Sequence, residues 1–141
     1  MTINQISIFL ENKFGKLNEI LSILSKENIR IIAATLADTS DYGILRIITS
    51  DQQKAYTLLK EKKVSVNLSE VIAIEIEPLI GKFAETVECF TKAGIDIEYM
   101  YCFSISHKAM LAFRTKNLEV AFDVIRKNNL TYMQERDFLN L

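Results

Sequence analysis

Two stretches decide the fold: Glu11-Asn12-Lys13-Phe14-Gly15-Lys16-Leu17 and Glu77-Pro78-Leu79-Ile80-Gly81-Lys82-Phe83. Each follows a run of alternating apolar residues, and each has a glycine where an amphipathic helix is predicted to begin. Glycine lets the backbone approach a bound group closely, and the first turn of a helix has unpaired N–H groups that attract an anion. These loops are therefore candidate binding sites for the carboxylate of a small ligand.

The two glycines are 66 positions apart, and the same interval relates apolar residues throughout the two halves of the chain. Two halves that keep their apolar positions in register over helices and strands indicate an internal duplication. We therefore predict two domains, residues 1–69 and 70–141. The matched pairs include Leu21 with Val87, Leu24 with Phe90, Ile47 with Phe113, Ala55 with Ala121 and Leu59 with Ile125.

Each half is predicted to have the order β-α-β-β-α-β, which builds an antiparallel sheet with both helices on one face. The predicted strands are 5–10, 29–39, 42–49, 64–68, 71–77, 96–106, 108–115 and 132–138. The first helix ends near Glu27, Ser50-Asp51 caps the second, Gly94 ends the third, and Asn117 opens the fourth. The fold class is therefore α+β, with two ferredoxin-like units and eight strands.

Composition excludes several function classes. A hydrophobic fraction of 49% with 25% charged residues predicts a packed core. A net charge of −1 argues against binding to a phosphate backbone, and the predicted central strands lack the basic, aromatic pattern of an RNA-recognition motif. Neither a leader peptide nor a membrane-spanning run is recognisable, so we expect a cytoplasmic protein whose Cys89 and Cys102 are buried thiols.

Catalytic patterns are missing from the sequence. The one histidine, His107, is predicted to lie in a solvated hairpin turn, far in sequence from any cluster of potential partners. Glu75 and Glu77 are predicted to be solvent-facing residues of a strand. No nucleophile motif, phosphate-binding loop or CxxC pair occurs, so we expect no enzymatic activity, no cofactor and no metal.

The first loop, Glu11 to Leu17, resembles the start of the ACT domain, whose usual sequence motif is close to Asn-Lys/Arg-Pro-Gly-x-Leu. With the β-α-β-β-α-β order present twice, nearly all of the chain resembles a tandem ACT protein. The resemblance implies regulation by a bound amino acid without catalysis. It also implies that two units pair through their second strands into one eight-stranded sheet, that the protein forms a homodimer, and that it acts on a partner enzyme of amino-acid metabolism.

The resemblance further implies that effectors bind where the first loop of one unit meets the second strand of its neighbour. One site would combine Asn12, Lys13, Phe14, Gly15, Lys16 and Leu17 with Asp96, Ile97, Glu98, Tyr99 and Met100. The other would combine Leu79, Ile80, Gly81, Lys82 and Phe83 with Arg30, Ile31, Ile32, Ala33 and Ala34.

Chemistry supports the first of these sites. The amides of its helix suit a ligand carboxylate, Asn12 can bond either group of a zwitterion, and Asp96 or Glu98 suits the ammonium. Pro78 stands where the first loop has Asn12, so the second site is expected to be weaker.

Phe14 and Ile80 replace the proline of the family pattern, so a fixed φ angle presets neither loop. The simpler alternatives are that both glycines only permit turns and that Asn12 only caps a helix. The runner-up function is a structural subunit in which the repeat is a dimerisation scaffold without a ligand.

Overall fold

The computed structural model describes residues 1–11, 15–38 and 41–139. Within them lie six strands and five helices, in an order that repeats after the second helix. The elements are β1 Ile3–Glu11, α1 Lys16–Lys26, β2 Ile31–Asp38, β3 Tyr42–Thr49, α2 Gln52–Glu61, β4 Val66–Ile76, α3 Lys82–Lys92, β5 Tyr99–Ile105, β6 Lys108–Arg114, α4 Leu118–Lys127 and α5 Arg136–Leu139.

The described strands form one antiparallel six-stranded sheet in the order β2-β3-β1-β4-β6-β5, so the predicted eight-stranded sheet is wrong. The predicted strands 64–68 and 71–77 form a single strand, β4, because Ser69-Glu70 contains no glycine or proline to interrupt it. The two second strands, β2 and β5, are first and last in this order. They therefore do not pair with each other as the resemblance implied.

The predicted last strand, 132–138, is also wrong. Tyr132 forms an isolated bridge with Ile74, and the flanking amides of Glu75 and Met133 donate to Thr131 and Ala73. The chain then turns into the short helix α5 at Arg136. A run of charged residues, Glu135-Arg136-Asp137, replaces the alternation that a longer strand needs.

The chain divides into two compact units. Unit A comprises Asn4–Ser69 and the described residues from Arg136 onward, and unit B comprises Met1–Ile3 and Glu70–Glu135. The N-terminus is tied to unit B, because the Thr2 hydroxyl donates to Glu70 at 2.9 Å and Met1 packs against the apolar core of that unit. The domain limits 1–69 and 70–141 stay a prediction.

Each unit has its own apolar core, made by alternate residues of its strands and the inner stripe of its helices. Core A contains Ile6, Ile8, Leu10, Ile20, Leu24, Ile29, Leu45, Ile47, Ala55, Leu59 and Val66. Core B contains Ile72, Ile74, Ile76, Phe90, Ile95, Leu111, Phe113, Ala121, Val124 and Ile125. Nine residues of core A, beginning with Ile6, have a counterpart 66 positions later in core B, beginning with Ile72, which confirms the duplication.

Core B differs from core A at its centre. Phe90 and Phe113 replace Leu24 and Ile47, and their rings meet edge to face with centroids 4.8 Å apart. The smaller Thr86 stands where core A has Ile20, and its hydroxyl bonds to the Lys82 carbonyl at 2.8 Å. Larger side chains at two positions are thus accompanied by a smaller one at a third.

The four long helices end in the same way. The residue after each C-cap has a positive φ: 56° at Asn28, 61° at Lys63, 78° at Gly94 and 50° at Asn129. The next residue donates its N–H back into the helix, as Ile29 does to Leu24 and Val64 to Leu59, both at 3.0 Å. This Schellman motif satisfies the last carbonyls and sets the direction in which the chain leaves each helix.

Helices α2 and α4 begin with equivalent caps. The Asp51 carboxylate accepts from the Lys54 N–H at 3.0 Å, and the Asn117 amide oxygen accepts from the Val120 N–H at 3.4 Å. The predicted caps at these two helices are confirmed.

Cys89 is half-buried and Cys102 is exposed, so the prediction of two buried thiols is wrong for Cys102. The reason is that Cys102 lies on β5, the last strand of the sheet. Partial burial still raises the pKa of its thiol. Among the described residues, no helix is long and apolar enough to cross a membrane.

Phe90→Ala is expected to lower the free energy of unfolding by about 3 to 5 kcal/mol, since it empties a fully buried site and removes the ring contact with Phe113. Phe83→Ala on the same helix is the control, because that ring is 39% exposed. Urea denaturation measures both. Equal losses would contradict the assignment of Phe90 to the centre of core B.

Candidate functional site

The first loop reaches helix α1 through Gly15. Asn12, Lys13 and Phe14, which the sequence assigns to the ligand site, lie outside the described residues. Gly15 has φ of 85°, in the left-handed region that favours glycine, and its carbonyl accepts the Glu19 N–H at 3.0 Å. A Cβ at Gly15 would meet no atom within 4 Å, so backbone conformation and not space requires the glycine.

The next two residues divide between surface and core. The Lys16 ammonium lies 3.7 Å from the Glu19 carboxylate across one turn, and the lysine side chain remains 41% exposed. Leu17 packs against core A. At Leu17, therefore, only the backbone amide remains for a ligand, whereas Lys16 offers both its amide and its charge.

The second predicted component of this site, Asp96 to Met100, links α3 to β5. Asp96 is exposed and forms no ion pair with another described residue, whereas Ile97 packs against core B. Tyr99 is half-buried at the start of β5, and Met100 is 46% exposed. The exposed members of this segment are thus Asp96, Glu98 and Met100.

Glu98 already has partners for its carboxylate. Its two oxygens lie 3.1 Å from Arg114 Nε and 3.8 Å from Lys116 Nζ, and its N–H donates to the Arg114 carbonyl. Of the two acids that the sequence offered for a ligand ammonium, Asp96 is therefore the better candidate.

The second loop is apolar and exposed. Leu79 is 62% exposed and Ile80 is fully exposed, and Gly81 opens α3 with φ of 89°, close to the value at Gly15. The Lys82 ammonium lies 3.1 Å from the Glu85 carboxylate. The hydrogen bond and the charge of Glu85, together with the charge of Glu77, raise the pKa of Lys82.

The strand segment assigned to the second site runs from Arg30 to Ala34. The backbone of Arg30 is bonded twice to Ser50, whose hydroxyl accepts at 3.1 Å and whose N–H donates at 2.9 Å, and its side chain is exposed. Ile31 and Ile32 are half-buried, Ala33 is buried and Ala34 is exposed.

Arg30 and Asp96 occupy equivalent positions, 66 residues apart, in the two units. The segments assigned to the two sites therefore carry opposite charges at the same place. Sequence reasoning missed this difference, although the interval between Gly15 and Gly81 contained the signal. The difference bears directly on which site suits an ammonium group.

Within the described part of the chain, no three His, Cys, Asp or Glu side chains are placed to hold a metal ion. His107 lies in the two-residue turn between β5 and β6, where Ser106 and His107 both have positive φ.

Comparison of structures finds close similarity to protein BT0572 from Bacteroides thetaiotaomicron. The two chains are 36% identical, with a TM-score of 0.92 over 100% of this chain and 98% of the other. The regulatory subunit of aspartate kinase from Thermus thermophilus, in its ligand-free form, has 14% identity and a TM-score of 0.59, covering 88% of this chain and 91% of that one. The corresponding subunit from Thermus flavus has 15% identity, a TM-score of 0.56 and coverage of 88% and 90%.

No curated protein matches the sequence. The family model described as an ACT domain pair matches residues 1–141, which is the whole chain. The likeness to the Thermus subunits shows a shared fold, and BT0572 shares both fold and substantial sequence. The chain therefore belongs to the family of ACT domain pairs.

Proposed function

We propose that this protein is a non-catalytic regulatory module that binds a free amino acid. The observation that carries the proposal is the start of α1 at Gly15, where no side chain caps the helix and the first-turn amides, as in any helix, have no acceptor within it. The carboxylate of an amino acid fits such a group of donors at the positive end of the helix. Lys16 adds a positive charge beside them.

The ligand ammonium is assigned to Asp96 in the same proposal. Its carboxylate is exposed and unpaired among the described residues, whereas Glu98 is engaged by Arg114 and Lys116. In the second site the equivalent position holds Arg30, which repels an ammonium group. Together with Pro78 in place of Asn12, this difference favours one strong site, made by the first loop and the segment Asp96 to Met100.

A regulatory module without catalysis acts through contacts with another molecule. We propose that this molecule is an enzyme of amino-acid metabolism, whose activity depends on whether the ligand is bound to this protein. Two Thermus proteins that share this fold are regulatory subunits of aspartate kinase, which supports this part of the proposal. The alternative is a structural subunit that uses the repeat for assembly and binds no amino acid.

Homodimer formation belongs to the same proposal. Strands β2 and β5 are the first and last of the sheet, so each has an edge of unpaired backbone groups available to a second copy. Leu36 on β2 and Met100 on β5 are large apolar side chains at these edges, 50% and 46% exposed. Pairing between copies would cover them.

Thermal-shift measurement with each of the twenty amino acids separates sensor from scaffold. Because a ligand that binds only the folded state stabilises it, one or a few amino acids should raise the melting temperature by several degrees at about 100 times Kd. A scaffold without a ligand gives no shift with any of them, even well above millimolar concentration.

Asp96→Asn is expected to weaken binding of the responding amino acid about tenfold, because it removes a charge-assisted bond to the ammonium. Arg30→Asn, at the equivalent position, should leave the affinity unchanged. Isothermal titration calorimetry measures both, and should give one strong site per chain. These variants are preferable to Gly15→Val and Gly81→Val, since a β-branched residue at φ of 85° or 89° strains the backbone itself.

Equal losses in the two variants, or two equivalent sites per chain, would contradict the assignment of the strong site to Asp96.

Replacing Leu36 and Met100 by lysine tests the dimer. Charged side chains on an edge strand oppose pairing with another edge, so at least one of Leu36→Lys and Met100→Lys should shift the protein from dimer to monomer. Sedimentation velocity measures the masses, and Lys60→Gln on helix α2 is the control. A monomeric wild type, or dimers in both variants, would contradict edge pairing.

A further inference from the structure

Each unit has a cleft that neither ligand loop explains. Cleft A, in unit A, has a volume of about 450 Å³ and lies between the end of β1, one side of α1 and the turn from α2 to β4. Three lysines line it, Lys16, Lys62 and Lys63, and its apolar wall includes Ile23 and Val64. A volume of this size is within the range of small-molecule sites.

Cleft B, in unit B, is its equivalent, with a volume of about 390 Å³. Every residue that lines cleft B stands 66 positions after a residue that lines cleft A. The duplication therefore preserved the shape of the cleft. The two clefts can therefore be compared directly, because their location in the fold is the same while their side chains differ.

The side chains of the two clefts differ in a consistent direction. Asn128 and Asn129 replace Lys62 and Lys63. Cleft A has three lysines and two glutamates, whereas cleft B has one lysine and three glutamates. Cleft A is therefore cationic and partly apolar, and cleft B is acidic and more polar.

The positive charge of cleft A is largely uncompensated. Lys62 and Lys63 are exposed and form no ion pair with another described residue, and Lys16 reaches Glu19 only at 3.7 Å. In cleft B the ammonium of Lys82 lies 3.1 Å from Glu85, and Glu75 is paired with Lys108 at 3.5 Å. An anion entering cleft A would thus meet two lysines, Lys62 and Lys63, that form no ion pair with another described residue.

The backbone holds the two unpaired lysines in place. Lys62 is the C-cap of α2, and the Schellman motif fixes Lys63 with φ of 61°. Ordinary lysines seldom take this conformation, which asparagine tolerates far better, as Asn129 does in cleft B with φ of 50°. A charged residue at a position better suited to asparagine is consistent with selection for its charge.

We infer that cleft A binds a small organic anion with an apolar body, of the aliphatic carboxylate class. The lysines hold the carboxylate, and Ile23 and Val64 contact the hydrocarbon. This site differs from the amino-acid site proposed at Gly15 and Asp96, with which it shares only Lys16. Its ligand needs no ammonium group, because the positive charges of Lys62 and Lys63 would repel one.

The probe is hexanoate, titrated into the ¹⁵N-labelled full chain and followed by NMR shifts of the Val64 and Ser65 amides. Hexylammonium, with the same chain length and the opposite charge, is the ligand control. We expect saturable shifts with hexanoate at millimolar concentration, none with hexylammonium, and little change at Leu130 and Thr131 of cleft B.

The double variant K62N/K63N gives cleft A the residues of cleft B, and its turn keeps a residue type that accepts the left-handed φ. Affinity for hexanoate should fall about tenfold, since two exposed charge contacts are lost. The matched control K26N/K60N removes two lysines of unit A that do not line the cleft, and should bind as the wild type does. The single variant K62Q leaves the left-handed residue Lys63 unchanged and should lose part of the affinity for hexanoate.

Three outcomes would overturn the inference: no hexanoate shift at about 10 mM, equal binding of hexylammonium, or equal losses in K62N/K63N and K26N/K60N. Circular dichroism of each variant reports whether it is folded. If K62N/K63N loses hexanoate binding but still binds the amino acid, cleft A and the Gly15 site are two independent sites.

Discussion

An unbroken strand, β4, is the constraint on which both cores depend. Val66 of this strand is buried in core A, while Ile72, Ile74 and Ile76 are buried in core B. Because side chains alternate along a strand, one inserted residue would move every later apolar side chain of β4 to the opposite face of the sheet. The absence of glycine or proline between Leu68 and Val71 is therefore as important to the fold as the apolar residues themselves.

The duplication preserved backbone geometry more strictly than surface chemistry. All four long helices end in Schellman motifs, and Gly15 and Gly81 open equivalent helices with φ of 85° and 89°. The exposed side chains around this common framework have diverged. Arg30 faces solvent where unit B has Asp96, and the two lysines of cleft A stand where cleft B has asparagines. Two copies of one structure can thus acquire different binding chemistry without a cost to either core.

Local signals predicted the elements that local interactions stabilise. The caps at Asp51 and Asn117 and the glycine at Gly94 were readable because side-chain and backbone bonds within a few residues create them. Lys63 carries no comparable signal, since lysine seldom adopts the left-handed conformation that ends a helix. At the candidate site, the sequence identified the glycine loops, but the pairing of Glu98 with Arg114 and Lys116 depends on strands brought together by the sheet.

The sequence by itself determined the duplication, the four long helices and most strands of each core, because these follow from periodicity, capping and repeated motifs. It also carried the resemblance to ACT domains that the family model bears out. Only the tertiary structure decided that two predicted strands are one, that residues after Tyr132 leave the sheet, and that Asp96 rather than Glu98 is unpaired. Those outcomes depend on contacts between residues distant in the chain. Such contacts can override the local preference of a segment, and the local sequence pattern does not predict when they do.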